Sequence, residues 1–213
     1  MEHSGWGIET IGQLMASTRA TEMVPLVRAP AVQYDSIARV LDTGAMGIVL
    51  PFIEEPEQAE FVVCCTRYPP QGRRGAAFGI AHDDYAPGDV RQKMRWANEE
   101  VLVVVQIEST RGLENVEKIA AVKGVDAVWI GQFDLSISMG IPGEVAHPEF
   151  QDAQRRILRA CQKAGVAAGY GSLSLDDVAA ARDQGFRFLV YVADLWIYQR
   201  ALREGLEHIR GGK

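Results

Sequence analysis

Six short runs of apolar, mostly β-branched residues recur along the chain, and none shows the polar alternation of a half-exposed strand. They cover residues 24–27, 48–50, 101–107, 127–130, 167–170 and 188–192. Unbroken runs of this kind read as strands buried on both faces. Between them lie stripes at helical spacing: Tyr34, Ile37, Ala38 and Leu41; Leu113, Val116, Ile119 and Ala120 behind a Ser109-Thr110 start; and Ala153, Ile157, Leu158 and Cys161. Val178, Ala179 and Arg182 follow Ser174 as a cap, and Tyr198, Leu202, Leu206 and Ile209 end the series, while Ile8, Ile11 and Met15 begin it. Such alternation predicts an α/β fold with a parallel sheet, either open and doubly wound or closed as a (β/α)8 barrel. No glycine-rich phosphate loop follows any strand, which weakens the nucleotide-binding version. Charged groups instead gather at strand C-termini, where barrel enzymes hold their chemistry: Arg28, Glu108 and, just beyond the 127–130 run, Asp134. A barrel uses about 250 residues, so 213 residues supply roughly 6.8 βα units.

Several function classes fall away. The formal net charge is −6, which leaves no basic field for nucleic acid. The longest apolar run, residues 101–105, is far too short to span a bilayer. Three cysteines, two of them the adjacent Cys64 and Cys65, form no disulfide framework. With no export signal at the start of the chain, a reducing cytoplasm is the expected location.

Glu108 and Asp134 each follow an apolar strand. Two carboxylates from neighbouring strand ends can share one hard cation, leaving positions for water or a bidentate ligand. Arg28 offers a planar fork for a carboxylate or enolate oxygen, and His3 can move a proton near neutral pH. Metal, cation and base are the parts required to make and stabilise an enolate. Each residue also has an ordinary use: a strand-end acid as helix cap or ion-pair partner, Arg28 in a structural ion pair, His3 solvated, and Asp42 as a polar helix end. His82, His147 and His208 lack ligand spacing. Lys93, Lys118 and Lys123 fall on helical or loop segments, which disfavours an imine route.

The chain resembles the HpcH/HpaI aldolases, the metal-dependent pyruvate aldolases. The resemblance is carried by Glu2-His3-Ser4, Pro25-Leu26-Val27-Arg28, Leu41-Asp42-Thr43-Gly44-Ala45, Arg67-Tyr68-Pro69-Pro70 with Gly72-Arg73-Arg74-Gly75, Ala97-Asn98-Glu99, Val105-Gln106-Ile107-Glu108 and Gly131-Gln132-Phe133-Asp134-Leu135-Ser136. It implies a single aldolase domain over residues 1–213, a (β/α)8 barrel lacking its first one and a half βα units. A hexamer, a trimer of dimers, is implied too, with a helix at about 194–209 exchanged between subunits. Glu108 and Asp134 would bind a divalent metal, Mg2+ first and Mn2+ or Co2+ as alternatives. Arg28 would hold the keto oxygen, and His3, oriented by Asp42, would be the acid/base group. Gln106 would support the metal shell or its water, and the backbone N–H groups of Phe133 and Asp134 would meet the substrate carboxylate. The implied reaction, part of aromatic or sugar-acid breakdown, is cleavage or formation of 2-keto-4-hydroxy acids from pyruvate and an aldehyde. Two alternatives stand beside it: a citrate-lyase-like acyl-CoA lyase, and a truncated non-catalytic member. Where the family usually has Pro and a small residue, this chain has Gln132 and Phe133.

Overall fold

The computed structural model describes residues 1–191 and 193–211. Its centre is a sheet of six parallel strands: β1 (Leu26–Arg28), β2 (Gly47–Leu50), β3 (Leu102–Ile107), β4 (Ala127–Ile130), β5 (Ala167–Ser172) and β6 (Phe188–Tyr191). They are hydrogen-bonded in chain order, β1 through β6. A doubly wound sheet reverses its strand order at a switch point, and this one does not. Right-handed crossovers in an unreversed sheet carry the helices to one side, so its two faces are unlike. β1 and β6 are the edge strands among the described residues; six strands are present, not the eight of a closed barrel.

The helices are α1 (Ile8–Thr18), α2 (Tyr34–Asp42), α3 (Pro56–Thr66), α4 (Val90–Glu100), α5 (Thr110–Glu114), α6 (Val116–Ala120), α7 (Gln132–Ser138), α8 (Pro148–Ala164), α9 (Leu175–Gln184) and α10 (Asp194–Ile209). The strand period of two sends Ile48, Leu50, Val103, Val105, Ile107, Val128 and Ile130 toward the helices. There they join Ile37, Leu41, Val62, Ile119 and Ile157 in the main core. The alternate residues build a smaller cluster on the opposite face, where Val49, Val104 and Ala127 pack with Leu26, Trp129, Ala167 and Phe188. Register aligns that face in rows: Arg28, Val49, Val104, Ala127 and Ala167 form one, and Gln106, Trp129, Gly169 and Phe188 the next.

Several expectations need correction. β1 begins at Leu26, because Val24 lies exposed and Pro25 cannot donate to a ladder. β5 runs on to Ser172 through two glycines. β6 is only half-buried on both faces, since the second face carries far less packing than the first. Val192, expected to end that strand, lies outside the described residues. The helical stripe of 110–120 breaks at Asn115, whose amide donates to Glu54 O (2.9 Å) and Glu55 Oε2 (3.1 Å) and so divides α5 from α6. The expected caps hold: Ser109 accepts from Gly112 N–H and Ser174 from Asp177 N–H.

The irregular stretch between α3 and α4 is tied down at several points. Arg67 Nη1 donates to Val101 O at 2.8 Å, and Tyr68 N–H donates to Asn98 Oδ1 at 2.6 Å. Asp83, in a 3-10 turn (Ala81–Asp83), pairs with Lys93 of α4 at 2.6 Å. Burial works to raise the Asp83 carboxyl, but the Lys93 hydrogen bond and charge and the Gly79 N–H outweigh it and hold the group at about 2, below its usual 3.8. A depressed carboxylate stabilises the fold above its unfolded value, and that support is lost as pH falls through 3.8 toward 2. Asp83→Asn is therefore expected to lower the melting temperature at pH 5 to 7, with the gap closing toward pH 2. A gap independent of pH across thermal melts would contradict this.

Candidate active site

The C-terminal ends of β1 to β4 hold the charged groups. Arg28 ends β1, and its Nε lies 3.1 Å from Glu2 Oε2, near enough for an ion pair though not aligned as a hydrogen bond. The Met1 ammonium donates to Arg28 O at 2.9 Å, which brings the first residues to this edge. Glu108 follows β3 directly and is 3% exposed. Gly131 follows β4, and its N–H donates to Ile107 O at 3.0 Å, continuing the ladder between the two strand ends. Asp134 stands in the first turn of α7, which starts at once after Gly131.

These groups lie close enough for their charges to act on one another. Burial, then the neighbouring charges of Asp134 and Glu2, push the Glu108 carboxyl up to about 7; the Phe52 N–H and the Arg28 charge offset this in part. Three acids, Glu2, Glu108 and Asp134, face two cations at this edge, the Arg28 guanidinium and the Met1 ammonium, so acids outnumber cations. Among the described residues Glu108 Oε2 is buried without a hydrogen-bond partner, and so is Gln106 Oε1 two residues earlier. A buried carboxylate oxygen with nothing to accept from is costly unless a cation completes it.

The backbone is shaped to this end. A Cβ on Gly131 would lie 2.5 Å from Glu108 Cγ and 2.6 Å from its Oε1, so only glycine lets β4 pass the carboxylate. Phe52, after β2, holds a left-handed φ of 50°, strained for a non-glycine residue, and in that conformation its N–H faces Glu108. Gly131→Ala is expected to displace the Glu108 carboxylate and cut turnover by about 100-fold while the far-UV spectrum stays native. Full activity in the alanine variant would contradict the packing.

Oxygen donors and surplus negative charge suit a hard divalent cation. Among the described residues no three His, Cys, Asp or Glu side chains converge as a ready-made cage. One or two carboxylates with water or substrate is the usual protein share for Mg2+. The unpartnered Glu108 Oε2 and the bare Gly131 fit that arrangement.

The remaining expected residues are placed as follows. Gln106 lies on the second face, one residue pair below Glu108, and is buried. Phe133 is exposed beside Asp134, and Gln132 reaches the Tyr170 side chain. His3 is exposed, its Nε2 3.9 Å from Glu2 Oε2. Asp42 accepts from Arg74 Nη2 at 3.0 Å, so its ion-pair partner here is Arg74 rather than the expected His3. Arg74 is buried, with its guanidinium over the Tyr68 ring, and it claims the carboxylate at the end of α2. Thus the structure gathers Arg28, Glu108 and Asp134, with Gln106 beneath, and links His3 to them through Glu2. Sequence reasoning gave no role to Glu2, Phe52 or Gly131. Glu2 and Gly131 stood inside motifs already singled out, whereas a positive φ at Phe52 leaves no trace in the sequence.

Comparison with known proteins follows the same outline. A curated hydroxypyruvate/pyruvate aldolase of Paraburkholderia phytofirmans is 40% identical over 190 residues, covering 87% of this chain and 72% of the relative. A 5-keto-4-deoxy-D-glucarate aldolase of Escherichia coli K12 is 34% identical over 204 residues, covering 95% and 78%. The crystal structure of an HpcH/HpaI aldolase from Desulfitobacterium hafniense superposes with a TM-score of 0.95 at 29% identity, covering 99% of this chain and 81% of that one. A family model described as HpcH/HpaI aldolase/citrate lyase matches residues 3–198, and the chain belongs to that family.

Proposed function

We propose that the protein is a divalent-metal-dependent aldolase that interconverts 2-keto-4-hydroxy acids with pyruvate and an aldehyde. The observation that carries this is the buried Glu108 beside Asp134 and Arg28, with one carboxylate oxygen left unpartnered. Both curated relatives above are named aldolases. On this reading the six strands are part of a (β/α)8 barrel.

Glu108 and Asp134 would hold the metal, Mg2+ first and Mn2+ or Co2+ as alternatives. When bound, the cation polarises a carbonyl and stabilises negative charge on a nearby oxygen. The protein's own groups do the rest. Arg28 holds the keto oxygen in its planar fork and takes up charge as the enolate develops. His3 removes the C4 hydroxyl proton, the C3–C4 bond breaks, the aldehyde leaves, and protonation of the enolate at C3 gives pyruvate. The backbone N–H groups of Phe133 and Asp134 meet the substrate carboxylate, and Gln106 orients substrate or water. Lys93 and Lys118 lie on helices and Lys123 in the turn after α6, and Lys93 is already engaged with Asp83, so none of the three is a Schiff-base candidate at a strand end.

α10 supports an oligomer. None of its side chains is buried in one protomer, and Leu195, Trp196, Tyr198, Leu202 and Leu206 are exposed. A second copy covers that face in the proposed hexamer, a trimer of dimers in which this helix is exchanged. No helix of the described residues is long and apolar enough to cross a membrane.

The test is pyruvate release from a 2-keto-4-hydroxy acid, followed through a coupled reductase. Chelation by EDTA is expected to abolish release and added Mg2+ or Mn2+ to restore it. Release unaffected by chelation would overturn the metal-dependent reading.

A further inference from the structure

Glu2 touches two of the groups on which the aldolase reading depends. Its side chain is 16% exposed, and one oxygen, Oε2, lies 3.1 Å from Arg28 Nε and 3.9 Å from His3 Nε2. A turn sets this up. Ser4 N–H donates to Met1 O at 3.4 Å, and the Met1 ammonium reaches Arg28 O at 2.9 Å, so residues 1–4 fold back against the end of β1.

The contact with Arg28 is made at Nε. A guanidinium carries five N–H donors in one rigid plane, so a carboxylate at Nε steadies that plane while the Nη donors remain for a substrate oxygen. The imidazole of His3 becomes a cation when it takes a proton, and an anion 3.9 Å away favours that charged form. Asp42 is engaged elsewhere. It ends α2 ahead of β2, at the N-terminal edge of the sheet, where it accepts from Arg74 Nη2 at 3.0 Å. Among the described residues the ion-pair partner of His3 is Glu2. Nor does the fold need this acid. Its Oε2 is buried without a hydrogen bond among the described residues, which costs desolvation, and a partly exposed ion pair returns little stability.

We propose that Glu2 is a positioning residue for the reaction. It holds the Arg28 guanidinium in place for the keto oxygen and supplies the counter-charge for His3 as that residue takes up the C4 hydroxyl proton. The inference rests on the aldolase reading of the site. The proton passes from the C4 hydroxyl to His3, and Glu2 stays an anion throughout, forming and breaking no covalent bond.

The experiment measures steady-state pyruvate release from a 2-keto-4-hydroxy acid at saturating Mg2+ for the wild-type chain, Glu2→Ala and Glu2→Gln, with thermal melts alongside. Glu2→Ala is expected to lower kcat by about 100-fold, the scale of a misplaced reacting group, while KM changes less than about threefold. Its melting temperature is expected to stay close to that of the wild type. Glutamine keeps the length and an acceptor oxygen but not the charge, so Glu2→Gln is expected to lower kcat by about tenfold. In an Arg28→Ala background, Glu2→Ala is expected to cost less than about tenfold more, because the guanidinium it steadies is gone. A merely structural acid would instead lower the melting temperature and cost the same factor in both backgrounds, and that result overturns the proposal. Wild-type kcat in Glu2→Ala or Glu2→Gln also overturns it and leaves the aldolase reading standing. No pyruvate release by folded wild-type protein with Mg2+ overturns both. Should Glu2→Ala fail to fold, the isosteric Glu2→Gln decides by the same kcat criterion.

Discussion

Replacing Glu108 by glutamine is expected to reduce turnover by about 10^3-fold and to raise the melting temperature of the metal-free chain at pH 8. The two effects have one cause. Glu108 is buried at the end of β3, and its neighbours Asp134 and Glu2 carry the same charge. Its carboxyl is raised from 4.5 to about 7. The unfolded chain loses that proton from 4.5 upward, whereas the folded chain keeps it until about 7, so folding grows less favourable across this interval. Above it the full cost of a buried, crowded anion is present. Glutamine removes the anion and keeps the shape, so its advantage is largest above pH 7 and disappears below pH 4.5. Added Mg2+ is expected to stabilise the wild-type chain by binding the folded state, and to do so far less in the variant. Thermal melts at pH 4 and pH 8, with and without Mg2+, check the stability half. A variant less stable than wild type at pH 8 without metal would contradict the description of this site as a cation receptor.

Arg28 gives the second large effect. Arg28→Ala and Arg28→Lys are both expected to lower kcat by about 10^2 to 10^3-fold, with a smaller change in KM. A charge that develops only as the C3–C4 bond breaks is stabilised in the transition state more than in the bound substrate. Lysine keeps the charge but loses the planar fork that holds an oxygen in fixed geometry, so it does not rescue. Stability changes little, because the partly exposed Arg28–Glu2 pair at 3.1 Å contributes at most about 1 kcal/mol. Steady-state kinetics on both variants decide the matter. A lysine variant with near-native kcat would reduce Arg28 to a simple counter-charge.

The sheet was legible because burying a strand on both faces forces an unbroken apolar run. β2, β3 and β4 are the runs read at 48–50, 101–107 and 127–130, within a residue at either end. β5 was cut short because Gly169 and Gly171 lack the side chains that signal a strand. At Gly169 that absence is required by Trp129, since a Cβ there would meet the Trp129 backbone at 2.8 Å. α4 went unread because it buries only Ala97, leaving no apolar stripe. The acids and Arg28 were legible because strand ends are where a parallel sheet presents polar groups. Their support was not: Phe52 acts through a backbone angle, and Gly131 through the space it leaves. Neither depends on a chemical group that a sequence displays. The partner of Asp42 was misassigned for a related reason. Arg74 is 32 residues away, and only the path of the irregular segment between α3 and α4 brings it there.

The most direct measurement is hydrogen exchange at the pyruvate methyl group in D2O, followed by proton NMR. It requires no knowledge of the aldehyde and isolates enolate formation from bond cleavage. The account predicts loss of the methyl signal with Mg2+ or Mn2+, none with EDTA, and none in Glu108→Ala or Arg28→Ala. Folded protein with bound metal that leaves the methyl signal intact would contradict the central claim that this site forms a pyruvate enolate.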